Sequence, residues 1–192
     1  MIRLGLTGGI GMGKSTVAAL FAAADIPAFN ADEAVHRLQA PAGMAIPALR
    51  EAFPDLVTHN TLDRAGLRAL VLREPEKMRI LEQIMHPLVR ADRAAFLART
   101  VDKKAVLFDI PLLFETSSEA EFDKVIVVSC PRETQIARVQ RRGLPLHEVE
   151  ALIDRQLPDA QKRAKADYVI ETGGSIESTT AQVHKIIREL GL

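Results

Sequence analysis

Residues 8–16 read Gly-Gly-Ile-Gly-Met-Gly-Lys-Ser-Thr, placing Gly8, Gly13, Lys14 and Ser15 at the spacing Gly, any four, Gly-Lys-Ser. These residue types suit a triphosphate. Glycine lets the backbone curl tightly enough for several N–H groups to meet one anion. A lysine here reaches the β- and γ-phosphates, and a serine hydroxyl is a ligand for Mg²⁺. The expected nucleotide contacts are Gly9, Gly11, Met12, Gly13, Lys14, Ser15 and Thr16, with Ser15 also on the metal. The pattern is meaningful only between a strand and a helix. Residues 2–7 are mostly apolar and of strand length, and Val17, Leu20, Phe21 and Ala24 recur at i, i+3, i+4 and i+7, one face of a helix.

Two carboxylates fall where such a site needs them. Asp32 follows the short apolar segment 25–30 and begins a helix carrying Ala34, Val35 and Leu38 on one face. A carboxylate at the carboxyl end of a strand lies where open α/β sheets bind ligands, the other reading being a dipole-favoured residue of the first helical turn. Asp109 closes the apolar run Val106-Leu107-Phe108. It matches the acidic residue that supports Mg²⁺ in such folds. The apolar patch from Pro111 to Glu115, with Leu112 and Leu113, then starts at the same edge of the sheet and suits either an uncharged part of a substrate or simple packing.

Residues 125–129 read as a further buried strand, and residues 131–142 as a helix carrying Arg132, Arg138, Arg141 and Arg142. Guanidinium groups match phosphate oxygens by paired hydrogen bonds, which gives Arg138 and Arg142 a role at the nucleotide. Residues 143–165 are polar and helical, with Arg155, Lys162, Arg163 and Lys165, and read as a lid that closes to exclude water. A last strand over 166–171 leads through Gly173-Gly174 to Ser175, a helix N-cap, and to a helix with Ile176, Val183, Ile186, Ile187 and Leu190 on one face.

Residues 41–101 read as almost wholly helical and too long for one crossover, so they form an inserted helical subdomain. The face Met78, Leu81, Ile84, Met85 is expected to be interrupted at His86-Pro87, because proline lacks the N–H a helix interior uses. His86 is either a capping or core histidine or a residue turned toward substrate. Asp63-Arg64-Ala65-Gly66 has the Asp-x-x-Gly form used by GTPases, but no apolar strand precedes it and no Asn-Lys-x-Asp follows.

At 192 residues, 47% apolar and 26% charged with zero net charge, the chain reads as globular, with nothing to draw nucleic acid or an anionic membrane. The lone Cys130 excludes an internal disulfide and reads as a small packed side chain. With no long apolar run, the expectation is a cytoplasmic protein, monomeric or at most weakly self-associating. Five strands alternating with helices imply a mostly parallel sheet covered on both faces. A binding module or motor ATPase has no need of an acceptor subdomain of this size. The architecture therefore reaches a small-molecule phosphotransferase, with the acceptor open.

The acceptor comes from resemblance. Gly5-Leu6-Thr7-Gly8-Gly9-Ile10-Gly11 leading into Lys14-Ser15, Ala31-Asp32, Leu62-Asp63-Arg64 with Leu67-Arg68, His86-Pro87, Pro111 to Glu115, and Ala166-Asp167 resemble, in that order, the dephospho-CoA kinase family. The resemblance implies an α/β, three-layer P-loop kinase fold with a core of residues 1–40, 102–142 and 166–192, a helical CoA-binding insertion over 41–101 and a lid over 143–165. It implies ATP- and Mg²⁺-dependent phosphorylation of the ribose 3′-hydroxyl of dephospho-CoA. Asp32 would be the base, Arg138 and Arg142 would clamp phosphate from the lid side, and Arg64, His86 and the Pro111 to Glu115 patch would face the acceptor. The family often has Asp-x-Asp where this chain has Asn30-Ala31-Asp32, which leaves the proton to Asp32. It often has Asn-Asn-Gly beside the adenine where this chain has Glu171-Thr172-Gly173.

Overall fold

The computed structural model describes all 192 residues. The elements run β1 (Ile2–Thr7), α1 (Lys14–Ala23), β2 (Ala28–Asn30), α2 (Ala31–Leu38), α3 (Ile46–Ala52), β3 (Val57–Thr58), β4 (Thr61–Leu62), α4 (Arg64–Arg73), α5 (Pro75–Arg99), β5 (Ala105–Asp109), β6 (Lys124–Ser129), α6 (Arg132–Gln140), α7 (Leu146–Asp154), α8 (Asp159–Lys165), β7 (Tyr168–Glu171) and α9 (Ile176–Glu189). The chain folds as two compact units, Met1–Phe29 with Thr100–Leu192, and Asn30–Arg99. Helix α2 thus groups with the helical unit, whereas the sequence reading kept residues up to 40 in the core.

The larger unit is built on a five-stranded sheet of order β2-β5-β1-β6-β7. Every strand is parallel because each is apolar and returns through a crossover. Leu4 and Leu6 of β1, Leu107 of β5, Ile126 and Val128 of β6 and Ile170 of β7 pack against Val17 and Phe21 of α1 and Val183 and Ile186 of α9. On the opposite face, a Cβ at Gly5 would lie 2.8 Å from Leu113 and 3.0 Å from the Phe122 ring, so glycine lets this cover approach β1. The rings of Phe29 and Phe122 tilt against Phe108, with centroids 6.0 and 5.5 Å away. The final strand is pinned by Asp167, which accepts from Lys124 Nζ and from the Val125 N–H, both at 2.8 Å.

The order of the sheet decides where a ligand can bind. β1 is central, and the chain leaves it toward β2 on one side and later toward β6 and β7 on the other. The crevice outside the carboxyl end of a strand at such a switch point is the binding edge of an open α/β sheet. In the β1–β5 register, Leu6 stands level with Asp109, so the end of β5 lies beside the loop that follows β1.

The helical unit has its own core, Leu38, Ala45, Ile46, Leu49, Phe53, Val57, Leu62, Leu67, Val71 and Met85. Two expectations fail here. The segment is not wholly helical: β3 and β4 form an antiparallel hairpin, Val57 opposite Leu62 and Thr58 opposite Thr61. His59 and Asn60 make its two-residue turn, both with positive φ (48° and 64°). Such turns match the twist of paired strands, and asparagine tolerates the left-handed region. Nor is the helix broken at His86-Pro87, since α5 runs unbroken through Pro87. The proline has no N–H for the Gln83 carbonyl, but packing of α5 against α2, α3 and α4 holds the helix together. Asp63 of the Asp-x-x-Gly sequence is a helix cap, accepting from the Gly66 N–H at 2.9 Å.

Phe108→Ala should lower stability by about 3–5 kcal/mol, the usual penalty for removing a buried aromatic ring, because both ring partners lose contact. Urea unfolding checks this; a loss under 1 kcal/mol would mean that this side of the sheet is not packed as described.

Candidate active site

The loop between β1 and α1 is shaped by close approach. A Cβ at Gly8 would stand 2.6 Å from the Val128 carbonyl oxygen, so only glycine lets the chain leave β1 there. Gly11 and Gly13 take φ of 77° and 90°, the region that L side chains avoid. The carbonyls of the loop are tied back one after another. Gly9 O accepts from Met12 N (3.2 Å) and Gly13 O from Thr16 N (3.1 Å). Ile10 O accepts from Gln135 Nε2 (2.8 Å), Gly11 O from Arg138 Nη1 (3.4 Å) and Met12 O from Thr172 Oγ1 (2.6 Å). With the oxygens turned outward, the alternate N–H groups form an anion nest. Helix α1 opens directly on it, with Gly13 as N-cap, no side-chain cap and no acidic residue in its first turn. The positive end of α1 is thus left for an external anion.

Lys14 is ion-paired with Asp109, and that carboxylate is 3% exposed. The pair is held by register, since Asp109 ends the strand next to β1. Ser15 and Thr16 are exposed on the first turn. The Ser15 hydroxyl and the Asp109 carboxylate are the oxygen donors available here to a divalent cation. They suit Mg²⁺, which is bound by few protein oxygens together with phosphates and water.

A cavity of about 370 Å³ adjoins the loop, lined by Gly11, Gly13, Ser15, Thr16, Arg138, Arg142, Thr172, Gly174, Ile176 and Thr179. Ile176 was expected on the core face of the last helix. It is 51% exposed and lines this cavity, because the helix buries Thr179, Val183 and Ile186 instead. Arg138 bonds the Thr172 carbonyl (2.6 Å) and hydroxyl (3.0 Å) besides Gly11 O. It belongs to α6. Thr172, buried, binds Met12 O and Ser129 O and so links the end of β6 to the loop. The Met12 side chain is buried, with its sulfur 3.2 Å from Cys130 N and 3.5 Å from Cys130 Sγ. Burial pushes the Cys130 thiol up, consistent with a packed role.

The Pro111 to Glu115 patch divides. Leu113 is fully buried over β1, where an acceptor-facing position was expected; Leu112 is 45% exposed. The Pro111 carbonyl accepts from Thr7 Oγ1 (3.1 Å). Glu115 accepts from the Leu157 N–H (2.9 Å) and pairs with Lys162 Nζ (2.8 Å), whose side chain is 1% exposed. Segment 143–165 is therefore anchored by the patch. Arg163 adds a bond to Ser129 Oγ (2.9 Å) and an ion pair with Glu171.

In the helical unit, Asn30 caps α2 by accepting from the Glu33 N–H (3.1 Å), and Asp32 is exposed in the first turn. Arg64 lies against the His36 ring, its terminal nitrogens 2.6 and 3.0 Å from Nδ1 and Nε2. His86 is exposed in mid-helix, neither cap nor core. It borders an apolar groove of about 420 Å³ with Val35, Gln39, Leu81, Met85 and Val89. Arg64 borders a separate depression with Gln39, Leu67, Arg68 and Leu81. The sequence reading missed His36, Gln135 and Gln156. His36 and Gln135 are polar residues of helices and Gln156 one of the turn between α7 and α8, and no local pattern singles them out.

A parallel sheet with a glycine loop at its switch point, a bare helix N-terminus and a lysine-carboxylate pair define a P-loop phosphotransferase. Residues 2–178 match the family model described as dephospho-CoA kinase. The chain is 48% identical to the dephospho-CoA kinase of Mesorhizobium japonicum over 99% of this chain and 97% of that one. Its structure is similar to that of a Thermus thermophilus protein (TM-score 0.87, 35% identity, 98% and 96% of the two chains). It is also similar to the dephospho-CoA kinase of Campylobacter jejuni (TM-score 0.67, 27% identity, 98% and 96%). The chain belongs to the dephospho-CoA kinase family.

Burial pushes the Glu115 carboxyl up, but the Lys162 ammonium and the Leu157 N–H outweigh it and hold the group below the ordinary carboxylate range. A carboxyl lowered on folding adds stability above its unfolded value and loses it as pH falls through the folded one. Glu115→Gln strands a buried ammonium and should lower stability at neutral pH by about 2 kcal/mol, less than for a fully buried pair because Glu115 keeps some water. The gap to wild type should be flat at neutral pH, begin to narrow as pH falls through the ordinary glutamate value of about 4.3, and close only below the lowered value of folded Glu115. Urea unfolding across pH tests this; a gap that persists in acid would contradict the ion pair.

Proposed function

We propose that this chain transfers the γ-phosphoryl group of ATP, with Mg²⁺, to the ribose 3′-hydroxyl of dephospho-CoA, giving coenzyme A and ADP, and that it acts as a cytoplasmic monomer. The observation that carries the donor half is the loop whose carbonyls are tied back over an uncapped helix N-terminus. Membership of the family carries the acceptor half.

Phosphoryl transfer asks a protein mainly for alignment and for charge opposite the transferring group. The backbone N–H groups of Gly11, Gly13 and Lys14 hold the phosphates, and Lys14 moves from Asp109 toward the β- and γ-oxygens. Ser15 and Asp109 would hold Mg²⁺, which would neutralise phosphate charge when bound. Arg142 lines the nucleotide cavity, and Arg138 keeps the loop in shape while adding positive charge to its wall. Ile176 offers an apolar surface to the base. Asp32 orients the acceptor hydroxyl and takes its proton late in the transfer, when the attacking oxygen has become acidic. With Asn30 used as the cap of α2, Asp32 is the carboxylate of this pair that can do so. In this reading residues 41–101 bind the acceptor, Arg64 and His86 contact it, and segment 143–165 is the lid.

Purified protein given ATP, Mg²⁺ and dephospho-CoA should form equal amounts of CoA and ADP. Turnover of a different alcohol, or nucleotide binding with no acceptor turnover, would overturn the assignment. Asp32→Asn should lower kcat by about 10²–10⁴, the usual range for a general base, with ATP affinity nearly intact; near-normal turnover would remove Asp32 as the base. Lys14→Ala should lower kcat by about 10²–10³, comparable to losing one preorganised donor to developing charge, and steady-state kinetics would show it.

A further inference from the structure

One residue of the phosphate loop has both of its backbone groups held by side-chain amides from elsewhere. The Ile10 carbonyl accepts from Gln135 Nε2 at 2.8 Å, and the Ile10 N–H donates to Gln156 Oε1 at 2.9 Å. The backbone decides how both amides are oriented: a carbonyl needs the NH₂ end and an N–H needs the oxygen. The two amides also close on the preceding residue. A Cβ at Gly9 would lie 3.1 Å from Gln135 Nε2 and 3.1 Å from Gln156 Oε1. Gln135 belongs to α6 and is buried. Gln156 is different in origin: it sits in the turn between α7 and α8, within segment 143–165. The next residue, Leu157, gives its N–H to Glu115. Two consecutive residues of that segment therefore grip the phosphate loop and the loop after β5.

The consequence follows from how the nest works. Its N–H groups bind an anion only if the peptide planes alternate correctly, and the Gly9–Ile10 peptide is the first plane of the turn. Without Gln156, the Ile10 N–H has no acceptor from its own turn. That plane then keeps only the 3.2 Å bond from Met12 N to Gly9 O and is less firmly set, and the N–H groups of Gly11, Gly13 and Lys14 lose their common aim. We propose that Gln156 is a positioning residue for the donor site: its amide oxygen sets the Gly9–Ile10 plane, so the loop is in shape for ATP phosphates only when segment 143–165 is seated. This rests on reading the loop as the ATP site.

Gln156→Met and Gln156→Glu test it, since both keep the side-chain length and only Glu keeps an acceptor for the Ile10 N–H. Gln156→Met should raise KM for ATP about tenfold, the scale of one lost hydrogen bond, with KM for dephospho-CoA and the melting temperature close to wild type. Gln156→Glu should restore KM for ATP to within about threefold of wild type. Equal behaviour of the two variants, or a loss shared equally by both substrates, would overturn the proposal. ATP·Mg²⁺ titration calorimetry on the same proteins should show the same tenfold weakening, and unchanged ATP affinity in Gln156→Met overturns the proposal too. Wild-type protein that binds ATP but makes no CoA would instead overturn the proposed function, leaving the calorimetric comparison to decide the role of Gln156.

Discussion

The donor unit depends on keeping backbone oxygens away from one small volume. A helix N-terminus attracts an anion weakly, and a loop that offered carbonyls as well as N–H groups would cancel that attraction. Here each carbonyl from Gly9 to Gly13 has a donor of its own. Three of those donors are side chains, Gln135, Arg138 and Thr172, from the elements that flank the loop. Much of the polarity around the loop is therefore spent on the loop's own backbone. The same economy applies to Lys14, whose charge is held by Asp109 at the end of the adjacent strand.

The two units have cores of different character. The sheet unit is dominated by β-branched and aromatic residues between helices, which gives a stiff platform for a loop that must hold its shape. The helical unit closes over its own apolar cluster and presents grooves bordered by Arg64 and by His86. Glu115, expected on an acceptor surface, ties segment 143–165 down through Lys162 and Leu157. A carboxylate at an apolar patch can thus serve the geometry of a lid as readily as a ligand, and burial of its partner distinguishes the two uses.

Several departures from the sequence reading share one cause. Pro87 looked like a break because its local chemistry disfavours a helix interior, yet packing along α5 outweighs one missing hydrogen bond. The β3–β4 hairpin escaped notice because each strand has only two residues, too short for an alternating pattern. Ile176 looked like core because it shares a helical face with Val183, but the helix begins at the cavity and only its later turns reach the sheet. Leu113 looked exposed because it follows a ligand-binding strand end, and Gly5 draws it inward.

The sequence by itself determined the donor chemistry, the alternation of strands and helices and the placement of Asp109 at a strand end. These rest on residue types and spacings within a few positions, so they survive without knowledge of the fold. Only the tertiary structure decided what shapes the phosphate loop. The partners of Ile10, Gly11 and Met12 lie 125, 127 and 160 positions away, and Gln156 lies 146 from Ile10. A hydrogen bond over that separation depends on sheet order and helix docking, and glutamine, arginine or threonine in a helix or turn gives no local sign of what it will meet.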